Sequence, residues 1–252
     1  HQGELVAERY GEGVGPATPL LGWSTSKTAL AAMAGAMVMA DEVDIHAPAL
    51  ESGATLDDLL RMTSGYNQPD SHDPFSDLAA MMYLEADMAQ VARQALNRAE
   101  PGETWTYSSF NSVVAAQLIN ERIGGSLEAQ ARAWRARVFD PACMSTAVIQ
   151  PDAAGTFFLG GYVFASAQDW ARLGQVFLDG GRGCAGQVFE AGWVDHVTTP
   201  TPGSHGRYGA GVWLDRRYDF VPEDAFVMRG SQGQTIWIAP SHDLVVAHLG
   251  AS

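Results

Sequence analysis

The chain is almost without lysine. Of its 15 basic residues in 252, fourteen are arginine and one is Lys27. Cysteine is nearly as scarce, with only Cys143 and Cys184, too few for a disulfide framework; they read as two separate thiols, buried or at the surface. Positive charge is short overall. A formal net charge of −14 leaves no basic patch for nucleic acid or for an anionic membrane surface. The longest apolar run is too short to cross a bilayer, which needs about 18–20 residues. The seven histidines show no metal-ligand spacing, so neither a metal nor a cofactor is expected. Gly11-Glu-Gly-Val-Gly15 is followed at once by Pro16 and lacks the strand-then-helix setting of a phosphate loop.

What remains is a globular composition, 46% hydrophobic and 17% charged, on a chain long enough for one large domain or two closely packed subdomains. The lone lysine gains weight from its position. It stands three residues after Ser24 in Trp23-Ser24-Thr25-Ser26-Lys27-Thr28. Ser-x-x-Lys arises by chance roughly once in a chain of this size, so the spacing alone says little. The scarcity says more: arginine serves any surface role but stays protonated, whereas a buried ammonium can give up its proton and act as a base. After Lys27 the sequence is apolar on every side to Ala40 and rich in helix formers. A helix with no polar face belongs in the middle of a protein. Ser24 then stands at its N-terminus, where helix dipole and free N–H groups favour developing negative charge, with Lys27 a turn on. A plain N-cap accounts for a serine here too, but it gives no reason for the lysine.

The remaining periodicities put sheet at the chain ends and helices between them. Leu5–Tyr10 reads as a strand. Helices are expected at Leu56–Arg61, Leu78–Ala99, Phe110–Arg122 (closed by Gly124-Gly125) and Trp170–Leu178. Short β-rich runs follow at Tyr208–Leu214, Ala225–Met228, Thr235–Ala239 and Leu244–Leu249, the last pair a hairpin. This is an α+β arrangement: a sheet subdomain from 1–40 and 150–252, and a helical subdomain over 41–149.

Two more segments stand out. Trp105-Thr-Tyr107-Ser108-Ser109 sets a tyrosine and two hydroxyls just before a helix. Arg229-Gly230-Ser231-Gln232-Gly233-Gln234 joins two strands. Each alone is explained by a cap or a tight turn. In order and at this spacing, the three segments resemble the serine β-lactamase and penicillin-binding-protein superfamily, specifically its class C-like esterase and amidase branch. Ser24-x-x-Lys27 is similar to the first motif. Tyr107-Ser108-Ser109, about 80 residues later, is similar to Tyr-x-Asn. Met228-Arg229-Gly230-Ser231 falls where the family has Lys-Thr-Gly-Ser on a strand beside the active site. Leu59-Leu60-Arg-Met62-Thr-Ser64-Gly65, the run Ala165–Gly174 and Gly192-Trp193 also look familiar, so the resemblance spans nearly the whole chain.

The resemblance implies a β-lactamase/transpeptidase-like fold and a serine hydrolase acting on a small ester or amide through an acyl-enzyme. Ser24 would be the nucleophile and Lys27 its base. Tyr107 would share that proton or pass it to the leaving group. The N–H groups of Ser24 and Ser231 would form the oxyanion hole. Ser109 and Gln234 are then candidates to position substrate, with Trp105 and Tyr66 as walls. Core packing or turn chemistry accounts for these four equally well. The departures matter too. Met228 replaces a lysine that helps hold a substrate carboxylate, and Ser109 replaces asparagine. Both look more like the 6-aminohexanoate-dimer hydrolase type of amidase and its esterase relatives. The loop tyrosine of those enzymes is missing, however, and Asp70-Ser-His-Asp-Pro74 offers Ser71 or His72 instead, which speaks against nylon-oligomer hydrolysis.

Two readings compete: a non-catalytic relative that binds acyl compounds or peptides, and a β-lactamase or D-alanyl peptidase. A Ser-His-Asp hydrolase is disfavoured because Gly22-Trp-Ser24-Thr-Ser26 lacks the second glycine of a nucleophile elbow. The family also has terminal helices that this chain, beginning beside one strand and ending beside another, does not include. The resemblance therefore implies a piece of a longer protein, and neither export nor oligomeric state is read from it.

Overall fold

The computed structural model describes residues 1, 3–66, 68–95, 99–214 and 221–250. Its axis is the helix α1, Ser26–Met39, entered through a single 3₁₀ turn over Trp23–Thr25. Every residue from Ser26 to Met37 is buried, as an apolar helix without a polar face requires. Alanine and glycine on α1 let its neighbours come close. The Trp193 indole lies flat on Gly35, where a Cβ would stand 2.6 Å from the ring, and its Nε1 donates to the Ala31 carbonyl at 3.0 Å. On another side Thr28 Oγ1 donates to the Gly211 carbonyl at 2.7 Å.

Among the described residues the strands form two antiparallel three-stranded sheets rather than one sheet from both chain ends. The first, in the order β1-β3-β2, takes β1 (Leu20–Leu21), β2 (Val148–Ile149) and β3 (Val163–Ala165), with Leu21 and Val148 both opposite Phe164. The second is the meander β4 (Phe226–Arg229), β5 (Thr235–Ala239) and β6 (Leu244–His248), with Met228 opposite Ile236 and Trp237 opposite Val246. The expected β5–β6 hairpin is present.

Two expected strands are not. Leu5–Tyr10 has no ladder partner among the described residues, and Leu5 and Val6 are 62% and 68% exposed. Alternation without a neighbouring strand does not make a strand. The run Tyr208–Leu214 is folded back at Gly211, whose φ is +80°, and makes only the isolated bridges Tyr208 to Trp213 and Trp213 to Val227. That second bridge extends the β4 edge toward the site.

Helices lie between and behind the sheets. Helix α2 (Leu56–Arg61) opens on a reciprocal cap in which Thr55 and Asp58 satisfy each other's N–H groups. The long helix expected over Leu78–Ala99 is two short ones, α3 (Asp77–Tyr83) and α4 (Met88–Gln94), because Asp87 caps a fresh start on the N–H of Gln90; residues 96–98 lie outside the described residues. Helix α5 (Ser109–Ile123) ends at Gly124, as expected. Helix α6 (Leu127–Trp134), running on into a π turn over Arg135–Phe139, was not foreseen. Helix α7 (Ala167–Leu178) packs on β5 and β6 through Gly174, where a Cβ would stand 2.7 Å from Val245. The last α-helix among the described residues is α8 (Gly192–Thr198), also unforeseen.

The two cysteines are not separate thiols. Cys143 and Cys184 form a disulfide with Cα atoms 6.1 Å apart. The loops carrying them are already laced together: the Ala185 N–H donates to the Pro141 carbonyl at 2.9 Å, and Gly183 leaves no room for a Cβ against that same carbonyl. Sequence separation hid a spatial contact.

Candidate active site

Ser24 sits in the 3₁₀ turn before α1, on backbone held from three sides. Gly22 donates its N–H to the Val163 carbonyl at 2.8 Å and accepts from Thr25 Oγ1 at 2.7 Å. Ser26 Oγ accepts the Val163 N–H at 3.1 Å, so the turn is fastened to β3. Trp23 adopts φ +49°, a left-handed conformation that costs a bulky residue about 1–3 kcal/mol and persists only when its surroundings fix it. That strain lies directly before Ser24.

Lys27 lies one turn further and is 2% exposed. Its Nζ is 2.9 Å from Ser24 Oγ, 2.9 Å from Ser109 Oγ and 3.0 Å from the Gly160 carbonyl. Asp70 Oδ2 is 3.8 Å away. The Tyr107 ring covers the amine, its centroid 4.9 Å from Nζ. Tyr107 is in turn wedged against Tyr208 and Trp213, ring centroids 5.6 and 4.9 Å apart. Burial above all, with the negative charge of Asp70 nearby, holds the fully buried Tyr208 phenol well above its usual range, so it stays neutral behind the site.

Asp70 joins the loop before α3 to the segment that opens α5. Its carboxylate accepts the Ser109 N–H and the Ser109 hydroxyl, both at 2.6 Å, and its own N–H donates to the Tyr107 carbonyl at 3.0 Å. The opposite wall is the β4–β5 connection. A Cβ on Gly230 would stand 3.1 Å from the Ser24 nitrogen, so the backbone here reaches the Ser24 turn closely. Gln232, at φ +60°, accepts a hydrogen bond from Trp23 Nε1 at 3.0 Å and ties the two walls together. Met228 is fully buried on β4 and supplies no charge.

These walls enclose a cavity of about 690 Å³. Ser24, Tyr107, Ser109 and Ser231 line it, with Ser71 and His72 on the loop side; Lys27 lies beneath. The other named residues are elsewhere. Tyr66 is buried in the core, and Trp105 packs on Tyr208 and Trp213 at 5.8 and 6.3 Å. Gln234 spends its side chain on the N–H and C=O of Gly250. None of these three lines the cavity. Sequence reasoning missed Asp70, Phe158 and Gly160, and the apolar face that α3 turns inward with Leu78, Ala79 and Met82. Asp70 heads the loop that had drawn notice, but nothing in its spacing says which polar residue turns inward.

A second cavity, of about 550 Å³, lies at the far end of α1 beside Trp193 and His196. There His196 Nε2 is 2.8 Å from Asp57 Oδ1. Burial opposes the Asp57 charge, yet His196 and Arg61 together hold the carboxyl below its usual range. Ser24 does not line this cavity, so the pair makes no Ser-His-Asp triad with it.

A buried Ser-x-x-Lys at the head of a central helix, with a tyrosine across it and an antiparallel sheet alongside, defines the β-lactamase/transpeptidase-like class. The chain belongs to the Beta-lactamase family, whose sequence pattern matches residues 1–250. It is 26% identical to the 6-aminohexanoate-dimer hydrolase of Paenarthrobacter ureafaciens, over 98% of this chain and 70% of that protein. Among solved structures it is similar to a Bacillus anthracis protein described as a 6-aminohexanoate-dimer hydrolase, with TM-score 0.84 and 22% identity over 99% of this chain and 71% of the other. A family VIII carboxylesterase aligns with TM-score 0.68 and 15% identity, over 91% of this chain and 76% of the other. The relatives are hydrolases. No helix among the described residues is long and apolar enough to cross a membrane.

Proposed function

We propose that this chain is a serine hydrolase that cleaves small esters, and amides more slowly, through an acyl-enzyme on Ser24. The carrying observation is the 2.9 Å contact between Ser24 Oγ and the buried Lys27 Nζ at the floor of an open cavity. The neutral amine of Lys27 takes the Ser24 proton as Oγ attacks the substrate carbonyl. Charge developing on the carbonyl oxygen is met by the N–H groups of Ser24 and Ser231, each worth roughly 3–4 kcal/mol in such sites. Tyr107 gives a proton to the departing alcohol or amine, and the roles reverse when water attacks the acyl-enzyme. With Met228 in place of a cation on β4, a substrate carboxylate gains no partner there, so β-lactams are poor substrates.

A fluorophosphonate followed by intact mass and peptide mapping tests the reading. One adduct, on Ser24, is expected, along with loss of p-nitrophenyl ester hydrolysis in Ser24→Ala. An unlabelled Ser24 in a protein that still binds acyl compounds would establish the non-catalytic alternative. Nitrocefin turnover matching the best ester would move the assignment to a β-lactamase.

A further inference from the structure

We infer that Asp70 is a positioning residue that, acting through Ser109, aims the lone pair of Lys27 at Ser24. The inference rests on the proposed roles of Ser24 and Lys27 and adds Ser109 and Asp70 to them. It follows from counting protons. A serine hydroxyl has one proton to give, and an ionised carboxylate can only accept. Ser109 Oγ stands 2.6 Å from Asp70 Oδ2, and Asp70 Oδ1 is occupied by the Ser109 N–H, also at 2.6 Å. The Ser109 proton is therefore committed to Asp70, and toward Lys27 the Ser109 oxygen can only accept. The Gly160 carbonyl, 3.0 Å from Nζ, can only accept as well.

An ammonium has three N–H bonds, and Lys27 has three hydrogen-bond partners. Two of those positions face oxygens that must receive a proton. The third faces Ser24 Oγ at 2.9 Å. When Lys27 is the neutral amine, its lone pair cannot face Ser109 or Gly160 without setting two lone pairs against each other. It faces Ser24. The carboxylate thus settles the direction of a proton transfer in which it takes no part. Its own place is fixed by the bond from its N–H to the Tyr107 carbonyl, at 3.0 Å.

Asp70→Asn preserves shape and reverses the logic. An amide nitrogen in the place of Oδ2 would donate to Ser109 Oγ, turn the Ser109 proton toward Lys27, and draw the lone pair away from Ser24. In alkyl ester hydrolysis we expect kcat to fall at least tenfold, about 1.4 kcal/mol of barrier, with KM and melting temperature unchanged. Ser109→Ala should lower kcat as well, and adding Asp70→Asn to it should cost nothing more, because the path runs through Ser109. Ser109→Thr, which keeps the hydroxyl, should restore the rate, and this pair decides the matter if Asp70→Asn does not fold. Full kcat in Asp70→Asn, an equal penalty in the Ser109→Ala background, or a threonine as slow as the alanine would overturn the inference while Ser24 labelling in the unaltered protein stands. If Ser24 in the unaltered protein is not labelled, the underlying reading fails and this inference with it.

Discussion

Tyr107 shows how much a single hydroxyl can be asked to do. Its ring is held by Tyr208, Trp213 and the Lys27 amine, so Tyr107→Phe keeps the packing and removes only the oxygen. If that oxygen protonates the leaving group, the loss on alkyl esters and amides should be about 10²–10⁴-fold, the usual contribution of general acid–base catalysis. It should be much smaller on p-nitrophenyl esters, because nitrophenolate departs without a proton. Equal losses across leaving groups would tie Tyr107 to deprotonating Ser24 instead. At this scale legibility followed chemical rarity. Lys27 could be picked out because no other lysine competes with it, and Ser24 and Tyr107 because they stand at fixed distances from it. Asp70 could not, being one of many acidic residues whose value comes from a neighbour far along the chain. Tyr66 and Trp105 drew attention as aromatics, and aromatics are more often core than wall.

Among the elements, α1 carries the site, and its position depends on Gly211. That glycine has φ +80°, and a Cβ on it would stand 2.9 Å from both the Lys27 carbonyl and the Ala31 Cβ. Gly211→Ala combines left-handed strain of about 1–2 kcal/mol with overpacking of about 1–3 kcal/mol. Urea unfolding should show a loss of about 2–5 kcal/mol, the sum of those two effects. The ester rate should fall as well, since the push is delivered at Lys27. A variant as stable and active as the parent would show that α1 can move aside. Elements with strong end signals were readable in the sequence: α5 from Gly124-Gly125, and β5–β6 from the turn at Pro240-Ser-His-Asp243. Where two signals met in one run, the reading failed. The apolar pattern from Leu78 onward concealed the new start at Asp87, and the β-rich run at 208–214 contains the glycine that folds it back.

For the molecule as a whole, the Cys143–Cys184 bridge joins the loop after α6 to the loop between α7 and α8, across 41 positions of sequence. Neither cysteine lines the cavity beside Ser24. Replacing both with serine should lower stability by about 2–4 kcal/mol, measured by guanidinium unfolding, and leave the ester rate at 25 °C unchanged. A reductant should bring the unaltered protein to the same stability and leave the double variant as it is. Equal stability with and without the bridge would make it a passive link. This contact was out of reach of sequence reading, because it depends on where two loops meet once the helices are packed. With the chain's only lysine 2% exposed beneath Ser24, the surface carries no lysine amine at all. Acylating reagents aimed at lysine will find no side-chain amine to modify while α1 is seated, so a lysine adduct, as distinct from one on the α-amine, marks a molecule whose central helix has come apart.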